Sequence, residues 1–270
     1  MTGIARGNSA MTDPTDLARE RLATSFGYQE VRPQDKSRLV GAMFARVAAR
    51  YDLMNDLMSA GVHRLWKAAL IDWLAPQTGM RLLDVAGGTG DIALRVLDRL
   101  ARRGAAAPRI VVCDVNPPML EVGRDRAIDA NRLGAIDWLC ADAEALPLAD
   151  RSVDAYTIAF GIRNVTHLDR ALAEARRVLV PGGRFLCLEF ATVPSPALRR
   201  AYDAYSFTVL PWLGERVAGD QAAYRYLAES IRRFPDQATF ARMIERAGLD
   251  RVRYRDLSGG IAALHSAWRL

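Results

Sequence analysis

The residues best suited to chemistry lie in a glycine-rich segment, residues 82–91, where a short apolar run ends in an acid and opens into a turn. The turn contains Gly87, Gly88 and Gly90, and apolar residues recur at helical spacing directly after it. Glycine adopts positive φ and allows a ligand to approach the backbone closely. Free N–H groups at the start of a helix favour electronegative ligand atoms. The segment therefore predicts a strand, a tight loop and a helix that together bind a nucleotide-like ligand.

Three classes of ligand use such a loop. A P-loop needs Gly-x-x-x-x-Gly-Lys, and this loop has no lysine. A dinucleotide site needs Gly-x-Gly-x-x-Gly, but Ala93 stands where the third glycine would fall. Methyltransferases that use S-adenosylmethionine (SAM) have a compact Gly-x-Gly-x-Gly loop, and the pattern here resembles that loop with Ala86 in place of the first glycine. The loop thus favours SAM.

Acids at the ends of two further predicted strands support the same ligand. Residues 110–113 form an apolar strand that ends at Asp114, where a carboxylate can accept both ribose hydroxyls of NAD or SAM. A third strand, residues 137–141, ends at Asp142, Ala143 and Glu144. A carboxylate at this third position can accept the adenine amino group, which favours SAM over NAD.

The elements that must position these residues alternate between strands and helices. Further strands are predicted at residues 152–160 and 184–190, and residues 251–257 and 261–269 predict an antiparallel pair at the edge of the sheet. Thr166 and Asp169 form a candidate capping box for the helix between the fourth and fifth strands. The pattern predicts a Rossmann-like α/β fold with helices on both faces of the sheet.

Composition limits the class of protein. The 270 residues carry a net charge of +6, and no apolar stretch approaches the roughly 20 residues of a transmembrane helix. The three cysteines lie in predicted strands and the three histidines stand apart, so neither a disulfide framework nor a metal site is predicted. A lysine-rich tract and an aromatic RNA-binding motif are both absent, so no nucleic-acid partner is predicted. The expected compartment is the reducing cytoplasm.

Five sequence blocks indicate a family more specifically than the SAM loop does, because many methyltransferases share that loop. It closely resembles the ubiquinone/menaquinone biosynthesis C-methyltransferase family, over roughly residues 36–270. The most specific blocks are Phe-Gly-Ile-Arg-Asn-Val-Thr at 160–166 and Tyr-Arg-Tyr-Leu-Ala-Glu-Ser-Ile at 224–231. The others begin at Val47, Leu188 and Tyr202.

The resemblance implies a seven-stranded class I SAM-dependent methyltransferase sheet, mostly parallel with one antiparallel strand. It implies C-methylation of a prenylated quinol ring with SAM as cofactor, the substrate being 2-polyprenyl-6-methoxy-1,4-benzoquinol, demethylmenaquinol or both. SAM-site roles carry over onto Thr89, Asp114, Asp142 and Ala143. Some members have a serine in the fourth strand, where this chain has Ala159.

Composition and periodicity along the chain predict its organisation. Residues 1–35 are polar and predict a mobile, irregular leader, and residues 36–270 predict one methyltransferase domain. Within that domain, residues 36–79 predict N-terminal helices, and the aromatic-rich residues 191–232 predict an inserted helical lid. The lid would enclose an apolar groove for the isoprenoid tail, although the same aromatics could be ordinary core.

Arg163 and Asn164 follow the fourth strand at its carboxyl end, where open α/β sheets bind ligands. We expect Arg163 to orient or stabilise the quinolate and Asn164 to fix its geometry, with a structural salt bridge of Arg163 as the alternative. Arginine is a poor simple base because its pKa exceeds about 12. The candidates for a general base are Tyr51, His63, Asp91, Asp220 and Tyr224.

A long prenyl tail would also bring the protein to the inner face of the membrane peripherally. The sequence leaves open a homodimer and membership of a quinone-biosynthesis complex. Two other functions also stay open: a SAM methyltransferase of another lipophilic small molecule, and a SAM-binding scaffold subunit of a quinone-synthesis complex. An NAD-linked oxidoreductase is disfavoured by the missing third glycine.

Overall fold

The computed structural model describes residues 13–209, 212, 216 and 220–270. Two strands form a short hairpin, β1 (Ser25–Phe26) and β2 (Gln29–Glu30). The main sheet consists of β3 (Arg81–Val85), β4 (Arg109–Asp114), β5 (Ile136–Cys140), β6 (Val153–Ala159), β7 (Leu179–Phe190), β8 (Asp250–Leu257) and β9 (Ala262–Trp268).

The seven strands of the main sheet lie in the order β5-β4-β3-β6-β7-β9-β8. Only β9 runs antiparallel to its two neighbours, so the other six strands point in one direction. This confirms the predicted seven-stranded class I SAM-dependent methyltransferase sheet with one antiparallel strand and an antiparallel pair at its edge. The central strands are apolar runs because both faces of a parallel sheet are covered.

Helices cover both faces of the sheet. They are α1 (Pro14–Ala23), α2 (Pro33–Val47), α3 (Tyr51–Ser59), α4 (His63–Leu74), α5 (Asp91–Ala101), α6 (Pro117–Asp129), α7 (Leu168–Val178), α8 (Pro196–Ala204), α9 (Gln221–Arg233) and α10 (Gln237–Arg246). Successive residues of β3 point to opposite faces. Leu82 packs into a cluster that contains Val96 of α5, and Leu83 packs into a second cluster that contains Leu172 of α7 and Phe240 of α10. Among the described helices, none is long and apolar enough to cross a membrane.

The N-terminal region differs from the irregular leader that the sequence predicts. Residues 1–12 of that leader lie outside the described residues, but α1 and the β1–β2 hairpin occupy 14–30 and α2 already begins at Pro33. The Asp13 carboxylate accepts the Thr15 N–H at 2.8 Å and caps α1, which packs against α7 and α10. This helix buries only a few apolar side chains, so its own sequence pattern is weak and its tertiary contacts stabilise it.

The aromatic-rich insertion contains α8, a π-helical segment at Tyr205–Val209, and α9. Its described aromatic residues differ in exposure, and Tyr205 is half-buried. Tyr202, Tyr224 and Tyr226 are buried, whereas Phe207 and Trp212 are exposed. The inserted segment therefore contributes both to the core and to the surface.

Candidate active site

A cleft with about 790 Å³ of empty space lies at the carboxyl ends of the central strands. Parallel strands bring their carboxyl ends to one edge of a sheet, so residues far apart in the chain meet there. The cleft brings together four residues that the sequence predicts for the site, namely Asp114, Asp142, Ala143 and Asn164. Phe44 of α2 and Phe160 at the end of β6 add apolar surface.

The glycine loop between β3 and α5 packs tightly on its surroundings. A Cβ at Gly87 would lie 2.9 Å from the carbonyl oxygen of Asp84, so only glycine fits against that backbone. Gly88 has φ +47°, and its N–H donates to Asp114 Oδ2 at 2.9 Å. The loop therefore forms a cradle in which a ligand can contact the backbone directly. Thr89 is buried beside it and lines a second, smaller cavity behind the loop.

Asp114 presents its carboxylate to the cleft with one backbone donor on each oxygen. Gly88 N–H binds Oδ2, and Asn116 N–H binds Oδ1, both at 2.9 Å. Each oxygen keeps a lone pair that can accept a ribose hydroxyl. Burial raises the pKa of Asp114 to about 6, against the lowering effect of these hydrogen bonds.

The loop after β5 supplies the third side of the cleft. Asp142 is exposed, Ala143 is buried, and Asp142 Oδ1 accepts the N–H of Glu144 at 2.9 Å. Glu144 itself accepts the N–H groups of Thr166 and His167 at 3.0 and 2.8 Å.

The predicted capping box of α7 is therefore wrong. The N-cap residue is His167, which makes no side-chain capping bond, and the carboxylate of Glu144 satisfies the free N–H groups just before the helix. Glu144 also binds His167 Nδ1 at 2.7 Å. A residue distant in sequence thus replaces the local Thr166–Asp169 pair, as a carboxylate at a helix N-terminus is favourable wherever it comes from.

A turn at residues 160–165 lies beside Ala86 at the start of the glycine loop and forms another side of the cleft. Phe160 has φ +59°, a left-handed conformation that bulky residues rarely adopt. Arg163 Nη1 donates to the Phe160 carbonyl at 2.7 Å and to Glu189 Oε1 at 2.6 Å. Arg163 and Glu189 are 4% and 1% exposed, so their ion pair lies inside the protein. The structure thus places Arg163 behind the turn, whereas Asn164 lines the cleft.

Side chains from other elements form hydrogen bonds with the turn at residues 160–165. Lys36 of α2 is buried, and its Nζ donates to the carbonyls of Leu22 and Val165 at 2.7 and 2.9 Å. Burial lowers the pKa of Lys36 to about 8. Tyr226 of α9 donates its hydroxyl to Asn164 Oδ1 at 2.9 Å. Motif reasoning missed Lys36, Glu189 and Tyr226 as parts of the site, because no local pattern connects them with the turn.

The smaller cavity behind the glycine loop has three charged residues in its lining, namely Lys67, Asp84 and Asp91. Lys67 Nζ contacts Asp91 Oδ2 at 2.6 Å. Asp84 Oδ1 accepts the Thr157 hydroxyl at 2.7 Å, while its Oδ2 is buried without a hydrogen-bond partner. Burial raises the pKa of Asp84 to about 7. An unpartnered buried carboxylate oxygen beside a lysine is suited to a ligand that carries both an ammonium and a carboxylate group.

These two cavities fit SAM. The glycine cradle and Asp114 suit its ribose, and Asp84 with Lys67 suits its amino-acid end. The acid at position 84 is visible in the loop motif, two residues before Ala86, but the sequence pattern alone does not distinguish it from a core residue.

The described candidates for a general base lie outside the larger cleft, although Asp91 lines the smaller cavity. His63 Nδ1 contacts the Ser59 hydroxyl at 2.9 Å, and burial lowers the pKa of His63 to about 4. Asp91 pairs with Lys67 and with Arg95, and Asp220 caps α9 and pairs with Arg46. Burial raises the pKa of Tyr224. None of these four lines the larger cleft as far as the described residues show, and the Tyr51 side chain lies outside the described part.

Comparison with known proteins gives a consistent result. The model of the ubiE/COQ5 methyltransferase family matches residues 31–269. A Paracoccus denitrificans protein named ubiquinone/menaquinone biosynthesis C-methyltransferase UbiE is 58% identical, over 93% of this chain and 98% of its own length. A mitochondrial rice protein named 2-methoxy-6-polyprenyl-1,4-benzoquinol methylase is 54% identical, over 96% of this chain and 94% of its own length.

Among solved structures, a SAM-dependent methyltransferase from Thermotoga maritima is similar in fold. Its TM-score is 0.60 at 19% identity, and the match covers 85% of this chain and 99% of that one. At this identity the likeness shows the fold alone.

Proposed function

Because the chain belongs to the ubiE/COQ5 methyltransferase family, we propose that it transfers the methyl group of SAM to a ring carbon of a prenylated quinol. The acceptor is 2-polyprenyl-6-methoxy-1,4-benzoquinol, demethylmenaquinol or both, as in the names of the relatives. The observation that carries the proposal is high identity to these relatives over nearly the whole chain. The cleft supports it, since Ala86 at the start of the glycine loop, Asp114 and Asn164 line it together at the carboxyl ends of the strands.

The residues that would hold SAM are divided between the two cavities. Asp114 accepts the ribose hydroxyls, and Asp142 with Ala143 borders the adenine end. Gly87, Gly88 and Thr89 form the cradle between them, and Asp84 and Lys67 receive the amino-acid end. When bound, SAM supplies a methyl group on a sulfonium cation, which is attacked by a carbon nucleophile in line with the bond that breaks.

The acceptor side must activate a weak nucleophile. A neutral aromatic carbon gains electron density when an adjacent ring hydroxyl loses its proton, so the site must stabilise the developing oxyanion. Asn164 lines the cleft and can contact that oxygen. Arg163 is bound to Phe160 and Glu189, which supports a positioning role: it holds the turn that carries Asn164 instead of touching the quinol.

The prenyl tail requires an apolar exit from the cleft. We assign this exit to the side bordered by Phe44 and the inserted segment that contains α8 and α9. Phe207 and Trp212 of that segment are 39% and 51% exposed, and the Arg216 guanidinium lies 4.8 Å from the Trp212 ring centroid. Exposed aromatics beside a cation suit peripheral contact with a membrane surface.

Complementation tests the reaction. The chain is expressed in a host that lacks its own quinol C-methyltransferase, and extracted quinones are analysed by mass spectrometry after aerobic and anaerobic growth. We expect ubiquinone, menaquinone or both to replace the demethylated precursors. Asp114→Ala should abolish the effect, and Asp137→Ala, which changes an exposed aspartate on β5, should preserve it.

Other outcomes select the alternatives. Continued accumulation of precursors while the protein is present and binds SAM contradicts quinol methylation, and turnover of phosphatidylethanolamine would then identify another lipophilic substrate. Complementation by an Asp114→Ala variant that no longer binds SAM would instead identify a scaffold subunit.

A further inference from the structure

The side-chain amide of Asn164 has a defined orientation in the cleft. Its Oδ1 accepts the Tyr226 hydroxyl at 2.9 Å. A primary amide offers an oxygen acceptor on one side and an NH₂ donor on the other. With the oxygen bound to Tyr226, the NH₂ group is the side left to meet a ligand in the cleft that Asn164 lines.

Burial and ring stacking fix the position of Tyr226, which makes this bond. Its ring is 4% exposed and stacks on Phe26 of β1 with a centroid separation of 4.3 Å and an interplanar angle of 27°. Burial raises the pKa of Tyr226, so the hydroxyl stays protonated and keeps the hydrogen that it donates to Asn164. The N-terminal hairpin thus reaches the active site through two aromatic rings.

We propose that Tyr226 is a positioning residue that orients the Asn164 amide so that its NH₂ group faces the ring oxygen of the acceptor. The inference rests on the proposed function and deepens it. A flipped amide would present its own carbonyl oxygen to the developing oxyanion, and two electronegative oxygens would repel each other. A donor held in place before the reaction stabilises that charge without reorganisation.

Tyr226→Phe tests the orientation, since it removes the hydroxyl and keeps the ring that stacks on Phe26. We expect kcat to fall about tenfold, which corresponds to the loss of one hydrogen bond of ordinary strength. The KM for SAM and the thermal midpoint should stay close to those of the wild type. Tyr156→Phe is the matched control, because Tyr156 is equally buried, stacks on Phe185 at 5.5 Å and has an unpartnered hydroxyl.

A double variant separates positioning from a general structural effect. If Tyr226 acts through Asn164, then Tyr226→Phe combined with Asn164→Ala should be no slower than Asn164→Ala alone. Independent, multiplying losses in the double variant would overturn the proposal, as would a wild-type kcat in Tyr226→Phe.

A readout in the absence of substrate keeps this test independent of the reaction. The side-chain ¹⁵N–¹H₂ signal of Asn164, assigned by its disappearance in Asn164→Ala, should shift and broaden in Tyr226→Phe but not in Tyr156→Phe. An unchanged signal in Tyr226→Phe would overturn the orientation even if turnover fell. A wild-type enzyme that methylates no quinol would overturn the proposed function instead, a result visible without any variant.

Discussion

The two sides of the cleft are built in different ways. The cofactor wall, which consists of residues 86–90, Asp114 and residues 142–143, is held largely by backbone N–H groups on carboxylates. The acceptor wall, residues 160–165, is held by side chains from other segments. Lys36 and Tyr226 reach it from 129 and 62 positions away in the chain. The cofactor wall is therefore stabilised by backbone donors near the strand ends, whereas the acceptor wall depends on side chains that α2 and α9 contribute.

The largest expected difference between the walls concerns the buried ion pair behind the acceptor wall. Glu189→Leu should lower the free energy of unfolding by about 3–5 kcal/mol, because it leaves the Arg163 guanidinium buried without its anion. Chemical denaturation measures this loss. The double variant Arg163→Met with Glu189→Leu removes both charges and should recover most of the stability.

Measuring turnover then shows whether the Arg163–Glu189 pair only stabilises the fold or also positions the acceptor wall. The double variant still lacks the hydrogen bond from Arg163 to the Phe160 carbonyl. We expect its kcat to stay low while its affinity for SAM is near that of the wild type. A double variant with normal kcat would show that the ion pair supports only folding.

Gly161 of the acceptor wall packs against Ala86 of the cofactor wall, and the next prediction changes that contact. A Cβ on Gly161 would lie 2.3 Å from the Cβ of Ala86, although Gly161 itself has φ −115°, which alanine accepts. Gly161→Ala should therefore cost about 1–3 kcal/mol through overpacking and weaken SAM binding. Ala86→Gly in the same chain should restore both, measured by denaturation and by calorimetry. If the double variant stays as weak as Gly161→Ala, the contact is not the cause.

The pH dependence of SAM binding tests the cofactor wall alone. Because burial raises the pKa of Asp114 to about 6, the carboxyl is protonated below that pH and is a poorer acceptor for ribose hydroxyls. We expect the Kd for SAM to rise as pH falls through 6, by up to about tenfold per unit. Asp114→Asn should bind weakly and lose this step. The Asp84 carboxyl has a pKa of about 7, so its titration should still change the Kd for SAM in that variant.

The free energy of unfolding should change with pH in the opposite direction from SAM affinity, so that it falls as the pH rises. A carboxyl whose pKa is raised by folding stabilises the native state fully below its unfolded pKa, about 3.8, and loses that contribution as pH rises through 6. Asp114→Asn should therefore gain stability relative to the wild type between pH 4 and pH 7. A constant difference across that window would show that the free protein does not bury a titrating carboxyl here.

The contrast between the walls also explains what the sequence could predict. Residues 110–113 with Asp114 predict the second strand of the nucleotide-binding sheet, which is observed as β4 (Arg109–Asp114), because an apolar run and its terminal acid are local signals. The edge pair is predicted for the same reason. Asp114 and Asn164 indeed reach the cleft, since the carboxyl ends of parallel strands converge.

The missed features depend on contacts between segments. The weak apolar pattern of α1 gives no helical signal, and the Glu144 carboxylate at the start of α7 comes from a different loop than Thr166 and Asp169. The partner of Arg163, Glu189, lies at the end of a neighbouring strand. Periodicity and capping rules describe one element at a time, so they cannot reveal these side chains.

The smallest expected effect comes from Phe26 of β1, which supports the acceptor wall indirectly by stacking on Tyr226. Phe26→Leu keeps an apolar side chain against Tyr226 but removes the ring stacking, which is worth about 0.5–1.5 kcal/mol. Since the Tyr226 hydroxyl still reaches Asn164 for most of the time, kcat should fall only about twofold to threefold, with SAM affinity unchanged. A loss as large as that of Tyr226→Phe would mean that the hairpin, and not the hydroxyl alone, sets the position of the amide. A change confined to SAM affinity would contradict the division between the walls, because Phe26 stacks on Tyr226, which binds Asn164 of the acceptor wall.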